Sequence, residues 1–561
     1  MTTDPAGAID PAGSIDQVRA IEREGLQERS RLLARATVVG VGTLASRLLG
    51  LLRDVALAAI FDRDATDAWW IAFTIPNALR QLLGEGAVTS AVVPLLSEKL
   101  AREGEVSARR FFARVRGASL IGLVAVTALG VLFARPVTEL FGGTFGGRPG
   151  QLERTVMLTR TIFPYILFMG TAALGMAALN ANRRFAVAAF APGLLNIALV
   201  AAALLLPRVL ASRGQDPVLA LAFGALAGGL LQVAAQWPSL RAIGFADRPR
   251  WVFDADVRKV LSRILPLTLG IGIYSIDLVI SRRFLAGLGS GAQSYFSWAM
   301  RLSDFPQGIF VMALSTAALP SLSMLAAKGA TREFAMTWAH GANLAMFVAI
   351  PASASFVVLG EPIVVALFER GAFDARAAHE TAAALAWQGG AVWTVAAVRQ
   401  TISALYALGD TRTPVIVSGM DLVVFVVLAA SLRGPLGHVG VSVAVAGSSA
   451  AQMVLLLLGL RWRLGTLRGA SLLRSIARTL MASAVGSIAG WGTARLVTTD
   501  GTGAVSSALA RMLPGAAGLA AFGVAFLAVA WGTGAPELDE ILDSVRRRLA
   551  RGHRRATEVS G

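Results

Sequence analysis

The stretch "SRLLGLLRDVALAAIF", residues 46–61, has the apolar content of a membrane helix, yet Arg47, Arg53 and Asp54 stand inside it. An unpaired ionised side chain at mid-bilayer costs about 2.5–3.5 kcal/mol on insertion scales. Charges placed there must line a wet cavity or pair with one another. Either outcome makes this segment a wall of a polar interior inside a helical membrane protein.

The rest of the 561-residue chain agrees. It is 55% hydrophobic and 16% charged, with a mean hydropathy of +0.62, where a soluble protein carries roughly a quarter charged residues. Apolar windows of about 20 residues recur from end to end, each long enough to cross a hydrocarbon core of about 30 Å. The expected fold is an all-α polytopic membrane protein. The absence of cysteine excludes disulfides and thiolate chemistry. His340, His379, His438 and His553 have no metal-ligand spacing. The net charge of +17 is nearly all arginine; in such a chain it reads as topology and contact with anionic lipid headgroups, not nucleic acid. Residues 1–35 are polar and mixed in charge, and read as a cytoplasmic tail instead of a secretory peptide.

About 14 spans are predicted, centred near residues 48, 80, 125, 168, 196, 228, 272, 308, 346, 393, 422, 449, 483 and 518. With the N-terminus in the cytoplasm, most Lys and Arg fall on the tails and even-numbered connections. That asymmetry obeys the positive-inside rule and puts both termini inside. The chain closes on the basic "VRRRLARGHRR" (545–555). Before and within that stretch Leu538, Ile541, Leu542, Val545 and Leu549 recur at helical spacing, which predicts an interfacial amphipathic helix.

The sequence also repeats itself. "AVVPLLS" (91–97) matches "AALPSLS" (317–323), and "ALNANRRFAVAAFAP" (178–192) matches "ALYALGDTRTPVIV" (404–417), each pair six spans apart. Two pseudo-symmetric six-helix lobes follow, the usual construction of secondary transporters. The expected organisation is a tail (1–35), a first lobe of helices 1–6 (36–245), a second lobe of helices 7–12 (246–465), helices 13–14 (466–533) and a basic cytoplasmic tail (534–561).

Further charges lie inside the predicted spans. Arg47 and Asp54, seven residues apart, share nearly one helical face, and Gly50 permits a bend that brings Arg53 towards it. The second span adds Arg80 and Glu85 in "IPNALRQLLGEGA", and the eighth adds Arg301 and Asp304 in "SWAMRLSDFPQG". If spans one, two and eight line one cleft, Arg47, Arg53 and Arg301 converge there. Guanidinium forks suit phosphate oxygens and stay charged at physiological pH, so such a cleft selects a phosphate or pyrophosphate. The competing reading is local neutralisation, Arg53 by Asp54 and Arg301 by Asp304, with Arg47 snorkelling to the interface.

Arg399 and Asp421 lie equally far in sequence from the turn at Asp410, which predicts a structural ion pair between spans ten and eleven. Asp277 in "YSIDLVISRR" either pairs with a cavity arginine or binds a coupling cation. Arg160 either snorkels or lines the cleft. No phosphate-binding Gly-rich loop, HExxH helix or serine elbow is present. The chain therefore reads as a transporter and not an enzyme, with no cofactor, driven by a coupling cation, the membrane potential or consumption of its substrate.

These motifs have a family look. "SRLLGLLRDVALAAIF…ATDAWWIAFTIPNALRQLLGEGAVTSAVVPLLSE" resembles the first two helices of the MurJ (MviN) lipid II flippases, within the multidrug, oligosaccharidyl-lipid and polysaccharide exporter superfamily. "SWAMRLSDFPQGIFVMALSTAALPSLS" is similar to the eighth helix of that family, and the likeness covers roughly residues 36–530. The resemblance implies 14 helices in two lobes around a cationic cavity, with a groove beside the last two helices for a polyprenyl tail. It implies movement of undecaprenyl-pyrophosphate-linked disaccharide-pentapeptide from the inner to the outer leaflet of a bacterial plasma membrane, with membrane lipids and other cell-wall synthesis proteins as further partners. By that likeness Arg47, Arg53 and Arg301 fall on the family's required arginines. Asp54 falls on the acid beside the second of them, Asp67 on the acid at the start of helix two, and Arg80 and Glu85 on its "PNLLRRxxxEGA" region. Gln81 and Met300 depart from the pattern, standing where some members carry an arginine and an acid. The rival readings are an exporter of another polyprenyl-linked oligosaccharide and a cation-coupled drug exporter of the same superfamily. The drug exporter would favour unpaired carboxylates where this chain has arginines.

Overall fold

The computed structural model describes residues 40–80, 88–308, 312–465, 467, 469–499, 508–543 and 546, and contains helices and connections but no strand among them. Each of the fourteen predicted span centres falls on a helical residue. Seven helical segments are long and apolar enough to cross a bilayer unaided; the others are broken by proline or carry charge. The protein is a helical membrane protein.

The first half comprises α1 (40–60), α2 (Arg63–Arg80), α3 (Val88–Arg102), α4 (Gly104–Leu132), α5 (Ala134–Gly142), α6 (Gln151–Ile162), α7 (Tyr165–Ala181), α8 (Phe185–Ser212) and α9 (Leu219–Ala242). Asp62 starts α2 by accepting from the Ala65 N–H at 2.7 Å, the usual side-chain cap for an otherwise unsatisfied donor. The second half comprises α10 (Ala255–Ala286), α11 (Ala292–Pro306), α12 (Met312–Ala327), α13 (Thr331–Val358), α14 (Gly360–Phe368), α15 (Ala375–Gly390), α16 (Val392–Ala407) and α17 (Arg412–Leu464). Asp254 and Asp374 cap α10 and α15 by accepting from Val257 and Ala377.

The sequence repeat is visible in the packing. Helix α3 packs on α4 and α7 as α12 packs on α13 and α16. Both copies of the second motif form a turn with a left-handed residue, Arg183 at φ +59° and Gly409 at φ +75°. Helix α17 holds two predicted spans, folded back at Gly437, whose φ of +58° only glycine adopts readily. Across this hairpin Gln452 Nε2 donates to Ser418 Oγ at 3.4 Å. A Cβ on Gly440 would lie 2.2 Å from the Leu432 carbonyl oxygen, so the two arms touch through backbone.

Helix α10 packs against α3, α4 and α5 as well as α11 and α17, and so touches both halves. Helices α18 (Gly469–Thr499) and α19 (Ala508–Gly532) pack on each other, and on α13 and α14 respectively. A Cβ on Gly490 would lie 2.8 Å from the Gly518 carbonyl oxygen. Lipid offers apolar side chains no worse a home than protein does, so close backbone approach through small residues is what holds such helices together. A last helix, 536–543, sends Leu538 into the main core and Glu537 to Ser475 Oγ at 2.5 Å. Leu538, Ile541 and Leu542 thus lie on a helix, with Leu538 turned into the protein; Val545 and Leu549 lie outside the described residues.

One end of the bundle is shut. Trp69, Trp70, Trp298, Phe368 and Phe373 form a buried aromatic cluster between α1, α2, α11 and α14. Over it, Thr66 Oγ1 and Ser294 Oγ lie 2.7 Å apart. The Ala372 N–H donates to the Ala59 carbonyl at 2.8 Å, and Arg63 pairs with Asp374. At the other end α3, α4, α7 and α8 pack chiefly within the first half and on α10, and α12, α13, α16 and α17 chiefly within the second half and on α18.

Candidate functional site

Asp54, fully buried in the middle of α1, is the centre of the site. Its Oδ1 accepts from Arg53 Nε at 2.8 Å and Nη2 at 2.6 Å. Its Oδ2 lies 2.9 Å from Nε of Arg301 on α11, at an angle that makes an ion pair without a hydrogen bond. Arg53 is 7% exposed; the Arg301 side chain keeps 39% of its surface accessible. Two predicted clamp arginines from separate halves therefore share one carboxylate, and one of them still faces open space.

Asn196 of α8 holds the buried partner. Its Oδ1 accepts from Arg53 Nη1 at 2.9 Å, and its Nδ2 donates to the Ser46 carbonyl at 3.1 Å. Arg47, the third predicted clamp residue, reaches the end of α11, where Nη1 lies 3.5 Å from the Asp304 carbonyl oxygen. A Cβ on Gly308 would sit 2.0 Å from that same Nη1, so the glycine leaves the guanidinium its place.

Asp304, on α11 beside Arg47, is exposed. It lies within electrostatic reach of Arg301, Arg47 and Arg399. Of the two local pairs in the competing reading, Arg53–Asp54 forms, whereas an Arg301–Asp304 pair is absent among the described residues, Arg301 turning to Asp54 instead.

Asp67 does something else. It accepts from the Gly291 N–H at 2.8 Å, the Ser294 N–H at 2.9 Å and Ser294 Oγ at 2.8 Å. A carboxylate from α2 thereby caps the N-terminus of α11, where orphan donors and the helix dipole favour negative charge. Arg148 lies 3.3 Å from Asp67 Oδ2. This residue latches the closed end and stands apart from the Asp54 cluster.

The predicted pair between Arg399 and Asp421 does not form: no ion pair joins them among the described residues, and Arg399 Nε and Asp421 Oδ1 are buried without hydrogen-bond partners. Equal distance from the turn fixes depth in an antiparallel pair but not rotation about each helix axis. Arg399 faces Asp304, whereas Asp421 lies beside Ser448 and Asp277. Asp277 has the Asp421 carboxylate for a neighbour and no arginine ion pair among the described residues. Arg160 is exposed on α6 and does not join the cluster. The Arg80 side chain and all of Glu85 lie outside the described residues.

Sequence reasoning missed three contributors. Asn196 is a lone amide in an apolar 28-residue helix, a signal that was legible. Arg282 is 5% exposed, donating to Gln293 Oε1 at 3.0 Å and Ser297 Oγ at 2.6 Å. Trp70 has the guanidinium carbons of Arg282 and Arg301 at 5.8 Å and 6.0 Å from its ring centroid, within cation–π range.

Comparison with known proteins places this arrangement. The family model described as "Lipid II flippase MurJ" matches residues 57–513. A probable lipid II flippase MurJ from Rhizobium meliloti is 33% identical over 525 residues, 91% of this chain and 95% of the relative. Its counterpart from Vibrio cholerae is 33% identical over 437 residues, 76% of this chain and 82% of the relative. Among solved structures, a lipid II flippase MurJ in an inward closed conformation superposes with TM-score 0.69 at 22% identity, covering 87% of this chain and 98% of that one. An inward-facing multidrug MATE transporter of the MOP superfamily gives 0.63 at 14% identity, covering 76% and 96%; these two likenesses speak for the fold alone. On the family match and the length of the sequence likeness, the chain belongs to the MurJ family of lipid II flippases.

Proposed function

We propose that this protein carries the diphosphate-linked headgroup of lipid II from the inner to the outer leaflet of the bacterial plasma membrane by alternating access, as a transporter and not an enzyme. The observation that carries the reading is the convergence of Arg53 and Arg301 on the buried Asp54. Asp54 occupies guanidinium groups that phosphate oxygens would otherwise take. An entering diphosphate exchanges one anion for another at Arg301, so no cation is left bare in a medium where an unpaired charge is costly. Arg47 closes the clamp from the chamber side, and Asp54 and Asp304 balance it.

The shut end, latched by Asp67, is assigned to the outside, and both termini to the cytoplasm. The chamber then loads from within. Rocking of lobes 36–245 and 246–465 releases the latch and delivers the headgroup, while the prenyl tail stays in lipid beside α18 and α19. The energy source in this reading is a coupling cation at Asp277 and Asp421, or the membrane potential. Neighbouring carboxylates resist simultaneous ionisation unless a proton or cation joins them.

Complementation of a host depleted of its own flippase tests the clamp. Arg301→Ala is expected to insert at normal levels, Arg53→Ala to insert with lowered stability, and both to fail to restore wall synthesis. Full rescue by both would remove the clamp. Accumulation of a different polyprenyl-linked oligosaccharide on depletion would favour the exporter reading instead.

A further inference from the structure

Helix α16 carries one intramembrane cation that the clamp does not use. Arg399 has no ion pair among the described residues, and its Nε is buried and hydrogen-bonded to nothing. The side chain is half-buried and lies within electrostatic reach of the accessible Asp304 carboxylate, as Arg47 and Arg301 do. A guanidinium at this depth without an acid partner is stable only where water or a ligand anion meets it. On the same helix Gln400 Nε2, and on the packed α13 Asn343 Oδ1, are also buried without partners. Gly341 of α13 leaves room there, since its Cβ position lies 3.7 Å from Gln400 Oε1.

The geometry points to Arg399 as a second anion subsite of the chamber, taking a carboxylate or phosphate oxyanion of the transported headgroup. This rests on the proposed transport function. The ligand is then gripped at two places, by Arg53 and Arg301 around Asp54 and by Arg399 on α16. Arg399 has no evident structural duty, which distinguishes it from Arg53 and Arg282, whose donors are largely satisfied inside the protein.

The test is equilibrium binding to the purified full chain in nanodiscs, using two probes: a prenyl diphosphate alone, and the prenyl-diphosphate-linked disaccharide-pentapeptide. Arg399→Ala is expected to weaken the complete lipid about tenfold, the scale of one charge-assisted hydrogen bond, and Arg399→Lys to recover part of the loss. If only the complete lipid is weakened, the subsite holds a carboxylate; if both probes are weakened alike, it holds phosphate. Unchanged affinity for both probes, with Arg301→Ala still weakening them, overturns the subsite and leaves the clamp standing. If Arg301→Ala has no effect either, the transport site itself is misassigned. Thermal midpoints of Arg399→Ala and Arg399→Lys guard against simple unfolding, because a structural loss would lower both and would not be confined to binding.

Discussion

Asp54 and Arg301 meet across the two halves of the molecule, Oδ2 to Nε at 2.9 Å, while the other oxygen of the same carboxylate is occupied by Arg53. One buried acid thus keeps two guanidiniums from different helices in register. The arrangement explains how a membrane protein tolerates arginines at this depth, and why one of them remains available to a ligand.

The first consequence concerns stability. Arg53 is almost wholly enclosed, and removing one member of a buried pair typically costs about 3–5 kcal/mol. Asp54→Ala should lower the thermal midpoint of the detergent-solubilised protein markedly, with Asp54→Asn falling between it and the unaltered chain. Coincident melting curves for all three would mean that Arg53 finds its compensation elsewhere.

Gly308 gives a steric test of Arg47. Valine there would force the guanidinium from its place, because even a Cβ comes within 2.0 Å of Nη1. Gly308→Val should abolish wall complementation at normal membrane abundance. Normal growth would show that the position of Arg47 is dispensable.

The latch can be locked chemically. The chain has no native cysteine, and the side-chain oxygens of Thr66 and Ser294 are 2.7 Å apart, so a cysteine pair at these positions is near disulfide range. Oxidation of the Thr66→Cys, Ser294→Cys double variant should stop flipping in proteoliposomes, and reductant should restore it. Undiminished flipping by the cross-linked protein would mean that this end never has to part.

At the opposite end, Asp410 organises the turn into α17. The Thr413 backbone N–H, with Thr413 Oγ1 and Arg463, holds its carboxyl below the usual carboxylate range. A lowered folded pKa contributes stability that is present above the ordinary value of about 4 and is lost as pH falls through the folded value. Asp410→Ala should cost about 1 kcal/mol at neutral pH, as for loss of an N-terminal cap, and should lose the acid-dependent part of the melting profile. A variant that melts like the parent from pH 7 to pH 3 would deny the turn this role.

The site was legible in sequence to the extent that charge in an apolar helix has few permitted fates. Arg53, Asp54 and Arg301 could only pair or face water, and they do both. The repeat was equally readable, since Pro94 and Pro320 recur in equivalent packing. What sequence spacing could not supply was rotation about a helix axis. Arg399 and Asp421 stand equally far along the chain from the turn at Asp410 and face different neighbours. Asp67 acts on the N-terminus of a helix more than two hundred residues away, a partner that no local pattern announces. Arg282 stands at the end of its span in "ISRR", indistinguishable there from an arginine flanking the interface, and only tertiary packing carries it beneath Trp70.

The central claim, that guanidiniums from α1 and α11 hold the diphosphate, is met most directly by measuring the affinity of the reconstituted protein for lipid II with and without Arg301. Arg301→Ala should bind at least tenfold more weakly while its helical content and melting stay close to those of the parent. Equal affinity in the two proteins would contradict the claim.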